Sequence, residues 1–199
     1  MTEIEGAPRP APIGERIVVV GSSCSGKSTL AEALGERLSL PYVELDALFW
    51  RPNWQEPPDD EFRAALLSAT DGERWVVAGN YLRHTMPVVW PRADTVVWLD
   101  LPLPTVTWRV LRRSWRRWRT NELLWGTNHE RFWDQLKLWD TRHSLIAFNV
   151  KNHRRRRHLM EAAMRHPHWS ETTFVRLRTS REVAAFLEGQ GALSVPAAG

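Results

Sequence analysis

The chain has very little cysteine, since Cys24 is the only one among 199 residues. One cysteine excludes an internal disulfide framework and is typical of a reducing cytosol, so we expect a cytoplasmic protein. Long apolar runs are also missing, because no stretch approaches the roughly 20 residues that a membrane-spanning helix needs. We therefore expect no membrane segment. Residues 1–15 carry acids and prolines but no apolar signal region, and we expect them to form a flexible leader.

Acidic residues are scarce in one part of the chain. Residues 105–158 contain 14 Lys and Arg but only 4 Asp and Glu, whereas the net charge of the whole chain is +4. One basic segment therefore interrupts an acidic remainder. Such an asymmetry predicts a phosphate-rich ligand near the segment, and it leaves open whether that ligand is a nucleotide or a nucleic acid.

Strand-like and helix-like segments alternate along the sequence. Short apolar or β-branched runs predict strands at 16–20, 41–46, 74–80, 94–102 and 172–178. Helical spacing of apolar residues predicts helices after residue 26, at 57–69, from 104 to about 121, near 130–139, near 142–166 and from Ser180, the expected N-cap of the last helix. This alternation predicts an α/β fold, a parallel sheet with helices on both faces, in one domain over 16–188 with a loose tail at 189–199.

The segment GSSCSGKS at 21–28 matches the Walker A consensus G-x-x-x-x-G-K-[ST] at every fixed position. It follows a predicted strand and opens a predicted helix, which is the context that the motif requires. In such a loop the backbone N–H groups point at phosphates, Lys27 reaches the β- and γ-phosphates, and Ser28 ligates Mg²⁺. We therefore predict an ATP and Mg²⁺ site at Gly21, Ser23, Cys24, Ser25, Gly26, Lys27, Ser28 and Thr29.

The cysteine in this loop has two interpretations. Its proximity to Lys27 and to a helix N-terminus favours the thiolate form of Cys24, which would make it reactive. Alternatively, Cys24 is simply a small residue that fits the loop.

A carboxylate is needed near the phosphates to hold Mg²⁺ or to orient the acceptor hydroxyl. Asp46 ends the run YVELD and Asp100 ends the run VVWLD, and the carboxyl ends of strands line the ligand crevice of an open α/β sheet. Asp46 precedes ALFWRPNW, a segment suited to recognition, whereas LPLP follows Asp100 and is typical of a strand end. We favour Asp46 for catalysis, and the candidate metal ligands are Ser28, Asp46 and Asp100.

Residues after the second and third predicted strands are candidates for binding the acceptor. The turn GNYLR at 79–83 exposes backbone at a strand end and carries side chains that bind a phosphate or a base. Arginines in these segments are also typical of a solvated surface, and that alternative stays open. The candidate acceptor-binding residues are Asp46, Trp50, Arg51, Gly79, Asn80, Tyr81 and Arg83.

The segment RVLRRSWRRWRT at 109–120 holds six arginines and two tryptophans. Helical geometry places one set of polar residues on a common face, namely Arg109, Arg112, Arg113, Arg116 and Thr120, and leaves Arg117 and Arg119 off it. The apolar residues that we expect to pack on another side are Val106, Val110, Leu111, Trp115 and Trp118. A later run, RRRR at 154–157, points around a helix in all directions, so we expect it to be a solvated surface.

Several motifs in order carry a family resemblance: GSSCSGKSTLA, ELDALFWRPNW, VVAGNY, WPRADTVVWLDLP, RVLRRSWRR and LWGTNHERF. With them, the chain from about 16 to 187 resembles the adenylate-kinase-like P-loop proteins that are often described as DNA topology modulation proteins. The resemblance implies a nucleoside-monophosphate-kinase-like fold with a five-stranded parallel sheet. It also implies that 104–165 is a helical lid over ATP, with phosphate clamps among Arg109, Arg112, Arg113, Arg116 and Arg117.

One departure from that family concerns the turn after the third strand. Adenylate kinases usually carry an Asp-Gly pair there, whereas this chain has Gly79 and Asn80. A neutral asparagine cannot replace a carboxylate near Mg²⁺, which strengthens the case for Asp46.

Two functions follow from these patterns. The favoured one is an ATP-dependent kinase of a small acceptor, a nucleotide or nucleoside, in which Lys27, Asp46, Arg109, Arg113 and Arg116 are catalytic. The alternative is an ATPase that binds nucleic acid through the basic segment and its tryptophans and affects DNA topology.

Overall fold

The computed structural model describes residues 13–124, 128–129 and 131–191. Within them the strands are β1 (Arg16–Gly21), β2 (Tyr42–Glu44), β3 (Trp75–Ala78), β4 (Thr95–Leu99), β5 (Leu123–Leu124), β6 (Asn128–His129) and β7 (Thr173–Leu177). The α-helices are α1 (Lys27–Leu38), α2 (Leu45–Phe49), α3 (Asp59–Ala69), α4 (Leu82–Val88), α5 (Leu103–Thr120), α6 (Leu145–Arg165) and α7 (Ser180–Gly191). Short 3₁₀ turns lie at Pro52–Trp54, Trp90–Arg92, Phe132–Leu136 and Pro167–Trp169.

The main sheet has five strands in the order β2-β3-β1-β4-β7, and every neighbouring pair is parallel. The chain leaves β1 toward β2 on one side, returns to β3, and then crosses to β4 on the other side. In such a sheet the carboxyl ends of the central strands open a crevice at the point where the strand order reverses. The predicted fold class is confirmed, and the loop after β1 lies at that crevice.

Two apolar clusters cover the two faces of the sheet. Alternate residues of the β-branched central strands point to opposite sides, so Val18 belongs to one cluster and Val19 to the other. Side chains of α2, α3 and α6 complete the first cluster, and those of α1 and α7 complete the second. Helices therefore lie on both faces, as predicted.

Some predicted elements have different limits. The second strand ends at Glu44 and α2 begins at once, so Asp46 lies in the first helical turn and not at a strand end. The predicted helix near 130–139 is a 3₁₀ turn at Phe132–Leu136. In α3, Phe62 and Leu66 are buried as the spacing requires, whereas Leu67 is exposed.

The two ends of the described chain are more ordered than the sequence predicts. Within the predicted leader, the backbone N–H groups of Gly14 and Glu15 donate to Thr95 and Asp94. Helix α7 continues to Gly191, beyond the predicted domain end at 188. Its cap is Thr179 rather than Ser180, because the Thr179 hydroxyl accepts the backbone N–H of Glu182 at 3.1 Å. Residues 1–12 and 192–199, which complete the predicted leader and tail, lie outside the described residues.

The basic part of the chain consists of α5, the antiparallel pair β5 and β6, the turn at 132–136 and α6. Val106 and Val110 of α5 are buried, as predicted. The predicted packing of Trp115 and Trp118 is wrong, because each is 44% exposed. Their rings contact each other and Phe132 in a partly solvated cluster. Among the described residues, no helix combines the length and the apolarity needed to cross a membrane.

Candidate functional site

The loop between β1 and α1 has the geometry of a phosphate-binding loop. Gly26 is the N-cap of α1 with φ +95°, a left-handed conformation that strains other residues. A Cβ at Gly21 would lie 2.6 Å from Ser25 Oγ, so only glycine fits there. The loop closes through the Ser25 N–H, which donates to Ser22 O at 3.1 Å. The N-terminus of α1 therefore faces the crevice and presents its backbone N–H groups to it.

Lys27 lies at the mouth of this loop and is only 7% exposed. Burial lowers the pKa of Lys27, because the charged form loses hydration. The negative charges of Asp46, Cys24 and Glu44 raise this pKa, and the positive charge of Arg113 lowers it further. Lys27 thus interacts electrostatically with the predicted Asp46 and Arg113. Cys24 has φ +62° and is partly exposed in the same loop.

Asp46 is held in place by a tyrosine from the next strand's loop. The Tyr81 hydroxyl donates to Asp46 Oδ1 at 2.7 Å. Burial, followed by the charge of Asp46, raises the pKa of Tyr81, which keeps this hydroxyl protonated as a donor. The Tyr81 ring packs against Phe49 and Phe62, with centroids 4.4 and 5.2 Å apart. The carboxylate is therefore fixed by an aromatic cluster that belongs to the core.

Glu44 is a site residue that the sequence interpretation missed. Its carboxylate accepts a hydrogen bond from the Tyr42 hydroxyl on Oε2, while Oε1 is buried with no hydrogen-bond partner among the described residues. Both Glu44 and Asp46 act electrostatically on Lys27. The sequence does contain a signal that could have identified Glu44: the motif ELD places two acidic residues two positions apart where β2 meets α2.

These residues fit a Mg²⁺ ion. Carboxylate and hydroxyl oxygens are the ligands that Mg²⁺ prefers, and substrate phosphates usually supply others. The orphaned buried Oε1 of Glu44 is an oxygen of this kind, and the Ser28 hydroxyl, which lowers the pKa of Tyr42, is a second one close to it. The described residues contain no group of three or more His, Cys, Asp and Glu side chains that would bind a metal without such phosphates.

Asp100, the other predicted metal ligand, has a different environment. Its side chain is 3% exposed and forms ion pairs with Arg176 Nη2 at 2.6 Å and Arg157 Nη2 at 3.0 Å. Arg176 also bonds Glu161 and lies over the Trp98 ring at 4.3 Å. These contacts place Asp100 in a structural ion-pair cluster, and they argue against it as a metal ligand.

Helix α5 contacts the phosphate-binding loop directly. Arg109 Nη1 donates to Ser25 O at 2.8 Å, and Nη2 donates to Ser180 Oγ at 2.9 Å. The polar side of α5 borders an open groove of about 570 Å³, lined by Arg109, Arg112, Arg113, Trp115, Arg116, Arg119 and Thr120. The predicted common face is therefore present, although Arg119 also lines it. Arg117 lies off it and pairs with Glu122 at 3.2 Å.

Helix α6 contacts the same loop from another direction, which the sequence interpretation missed. Asn149 is fully buried, and its amide bonds both the backbone N–H and the C=O of Ser23 at 3.2 Å. Arg156 Nη1 donates to Ser22 Oγ at 3.2 Å. Arg156 belongs to the run RRRR that was predicted to be solvated, and that prediction is wrong for this one residue, since burial lowers its pKa to about 10.

The predicted acceptor residues after β3 divide between two roles. A Cβ at Gly79 would lie 2.6 Å from Leu45 Cβ, so this glycine allows α2 to approach the strand end. The Asn80 amide, oriented to satisfy its neighbours, donates to Gly21 O at 3.3 Å and accepts from Arg156 Nη2 at 2.7 Å. Asn80 therefore supports the phosphate-binding loop, while Tyr81 supports Asp46.

The predicted acceptor arginines pair with acids of α3. Arg83 Nη2 lies 2.9 Å from Asp59 Oδ2, and its side chain is 82% exposed. Arg51 pairs with Glu61. These contacts turn both guanidinium groups toward α3.

Trp50 lies beside a strained turn. Its ring contacts Trp54 at a centroid distance of 5.4 Å, and Asn53 and Trp54 have φ values of +61° and +58°. The buried Asn128 of β6 holds this turn, because its Oδ1 accepts from Trp54 N at 3.0 Å and its Nδ2 donates to Arg51 O at 3.1 Å. The basic subregion thus contacts the acceptor side as well as the phosphate-binding loop.

No family model matches the chain, and no curated protein matches its sequence. The resemblance to DNA topology modulation proteins therefore stays a prediction. A gluconokinase from Sinorhizobium meliloti 1021 is similar in structure, with a TM-score of 0.48 and 19% identity over 89% of this chain and 90% of that chain. A shikimate kinase from Bacteroides thetaiotaomicron has a TM-score of 0.48 and 13% identity over 90% and 97%. A deoxyadenosine kinase from M. mycoides, solved with bound dATP, has a TM-score of 0.40 and 13% identity over 86% and 97%. At this level of similarity we base no functional argument on these proteins.

Proposed function

We propose that the protein is an ATP-dependent phosphotransferase that moves the γ-phosphoryl group of ATP to a hydroxyl group of a small acceptor, a nucleoside or nucleotide. One observation carries the proposal: Lys27, buried at the phosphate-binding loop, interacts electrostatically with the carboxylates Asp46 and Glu44 and with the Arg113 guanidinium. A cation for the phosphates and a carboxylate for the acceptor are the two groups that phosphoryl transfer needs close together.

The donor side binds the triphosphate. Backbone N–H groups of 21–29 and the N-terminus of α1 bind the β- and γ-phosphates, and Lys27 neutralises charge as the phosphoryl group moves. Arg109, Arg113 and Arg116 of α5 close over the phosphates from the open groove, while Arg156 contacts the loop from α6. Water is excluded by the same closure, which prevents hydrolysis of ATP.

The acceptor side positions the hydroxyl group. Asp46 accepts the hydroxyl proton as the acceptor oxygen bonds to the γ-phosphorus and the bond to the ADP oxygen breaks. Tyr81 keeps the Asp46 carboxylate in one orientation through its 2.7 Å hydrogen bond. Mg²⁺, held by Ser28 with Glu44 and Asp46, would supply positive charge to the phosphate oxygens.

A coupled assay of ADP release tests the proposal. The purified protein, with ATP and Mg²⁺, is screened against nucleosides, nucleotides and other hydroxyl compounds, and at least one is expected to stimulate ADP release. The K27M variant should lose at least about a hundredfold in that rate, as expected for a group that stabilises the transferring phosphoryl. The matched control K151M removes an exposed lysine of α6 and should retain the rate. No stimulation by any acceptor would refute the proposal.

A second function is favoured by the tryptophans of α5. Trp108 is 66% exposed, and Trp115 and Trp118 are partly exposed beside the arginine groove, an arrangement that suits base stacking along a nucleic-acid backbone. We infer a nucleic-acid-binding ATPase as this alternative. Titration with single-stranded DNA over a salt series tests it, because nanomolar affinity with a steep salt slope would favour it over the kinase.

A further inference from the structure

The candidate site divides into a cationic half and an anionic half. The cationic half contains arginines of α5 and α6 that contact the phosphate-binding loop, Arg109 at Ser25 and Arg156 at Ser22. The anionic half contains Glu44 and Asp46, which both act electrostatically on Lys27. Lys27 therefore marks the boundary between the donor phosphates and the acceptor.

The anionic half extends from Asp46 to helix α3. Tyr81, whose hydroxyl donates to Asp46 Oδ1 at 2.7 Å, packs against Phe62 of α3 with ring centroids 5.2 Å apart. Helix α3 adds three acids in its first turn, Asp59, Asp60 and Glu61. An anionic acceptor would have to enter against this field.

The arginines expected to neutralise an anionic acceptor instead form ion pairs with acids of α3. The Arg83 side chain is 82% exposed, and its guanidinium pairs with Asp59 at 2.9 Å. Arg51 pairs with Glu61 on the outer side of α3, and both side chains are about half exposed. These two predicted acceptor arginines are therefore already matched by carboxylates.

The remaining surface on this side is aromatic. The partly exposed Trp50 and Trp54 contact each other at a centroid distance of 5.4 Å beside the strained turn that Asn128 holds, and Trp50 packs edge-on against Phe49 of the core. Such rings recognise the flat face of a base or the apolar face of a sugar ring. The carboxylates beside them are acceptors for hydroxyl groups.

We propose that the acceptor is an uncharged hydroxyl compound with a flat or apolar face, a nucleoside or a sugar, and not a nucleoside monophosphate or another anion. This inference rests on the proposed phosphotransferase function; it removes nucleotides from the proposed acceptors and adds sugars. The cationic half is used by the ATP phosphates, and the anionic half binds hydroxyl groups. A phosphorylated acceptor has no matched cation on its side, because Arg51 and Arg83 are already paired and the Mg²⁺ that Glu44 and Asp46 would hold is balanced by these carboxylates and the ATP phosphates.

Matched pairs of compounds test the inference in the ADP-release assay. Adenosine and thymidine are compared with their 5′-monophosphates, and glucose with glucose 6-phosphate. We expect kcat/KM for the uncharged member to exceed that for its phosphate by about tenfold or more, since one added like charge costs at least this much at short range. Reaction with adenosine or thymidine would indicate a nucleoside acceptor, and reaction with glucose would indicate a sugar acceptor. Faster reaction of any monophosphate than of its uncharged partner would overturn the inference.

ATP binding, measured separately by calorimetry, distinguishes failure of this inference from failure of the proposed function. ATP binding with stimulation by monophosphates alone overturns the acceptor class and leaves the kinase proposal standing. Absence of ATP binding, or ATP binding with no stimulation by any compound, overturns the proposed function and this inference with it.

A charge-neutral variant of α3 tests the arginine pairing. In E61Q the Arg51 guanidinium loses its partner, and the kcat/KM ratio of monophosphate to nucleoside should rise about threefold, the scale of one exposed ion pair. The control D60N removes the same charge from the same helical turn, where the structure shows no arginine partner among the described residues. An equal rise in D60N would mean that net charge alone sets the preference, which would overturn the role given to the Arg51 pair.

Discussion

Arg156 carries a partly buried positive charge without a carboxylate partner among the described residues. Replacing it should weaken nucleotide binding but leave the stability of the nucleotide-free protein almost unchanged. Its guanidinium bonds the neutral groups of Ser22 and Asn80 and lies 5.6 Å from the Phe148 ring centroid. Buried charges in proteins are usually paired, so a cation of this kind indicates an anion that binds there. In this protein the anion would be a phosphate of ATP.

The magnitude follows from the pKa. Burial lowers the pKa of Arg156 from 12.5 to about 10, and each unit corresponds to about 1.4 kcal/mol, so burying the charge costs about 3.5 kcal/mol. The two hydrogen bonds come from a charged donor and offset about 1.5 kcal/mol each. Replacement by methionine removes both the cost and the bonds, so the unfolding free energy of the nucleotide-free protein should change by less than about 1 kcal/mol. Because the folded-state pKa is the lower one, the cost is present in full below pH 10, and this result should not vary between pH 6 and 9.

ATP-dependent stabilisation should change far more. A lost contact between a guanidinium and a phosphate weakens binding by about 2 kcal/mol, or roughly thirtyfold. At ATP concentrations about 100 times the wild-type Kd, the stabilisation should fall from about 2.7 to about 0.9 kcal/mol. At roughly 2–4 °C per kcal/mol for a chain of this size, the shift in Tm on adding ATP should fall from about 8 to about 3 °C.

The assay is thermal unfolding of R156M with and without ATP and Mg²⁺. The control R155M removes an exposed arginine of the same helix and should behave like the wild type in both conditions. A large loss of Tm without nucleotide in R156M, together with an unchanged shift on adding ATP, would show that Arg156 is structural and would refute the assignment.

Two further predictions concern the carboxylates. Y81F should lower kcat by about tenfold with little change in the Kd for ATP, because it removes the hydrogen bond that orients Asp46. Steady-state kinetics measure kcat and calorimetry measures the Kd, and an equal loss of ATP affinity would contradict this role. D46N should raise the Mg²⁺ concentration needed for half-maximal ADP release, whereas D100N should lower stability by about 3 kcal/mol in denaturant unfolding, because Arg176 would lose its buried partner. The reverse pattern would place the metal at Asp100.

Local patterns predicted the fold and the donor loop. The β-branched run before Gly21 and the helical spacing after Gly26 lie within one short segment, so strand, loop and helix follow from neighbouring residues alone. The limits of short elements were less accurate. Strand β2 ends two residues early because α2 begins at Leu45, which carries Asp46 into a helix and leaves Glu44 at the strand end.

Contacts between distant parts of the chain could not be predicted in this way. Four consecutive arginines point around α6, and the sequence does not show that Arg156 is the one that reaches Ser22, 134 residues away. No sequence pattern identifies Asn149 as a loop-binding residue either. Its role depends on the packing of α6 against Ser23, which is 126 residues away in the sequence. The tryptophans of α5 were misplaced because aromatic residues at helical spacing usually pack in the core, whereas Trp115 and Trp118 contact Phe132 in a partly exposed cluster.

These long-range contacts give the basic segment a structural role that the sequence alone did not predict. Three side chains from the two helices hold the phosphate-binding loop at three of its residues: Arg156 at Ser22, Asn149 at Ser23 and Arg109 at Ser25. A loop held in this way is ordered before nucleotide arrives, so binding does not have to supply the cost of ordering it. Arg109 bonds a neutral carbonyl at Ser25, a weaker partner than a phosphate oxygen, and it can transfer to ATP with a net gain. Under the proposed function, the basic residues support the loop in the free protein and would bind the phosphates once ATP is present.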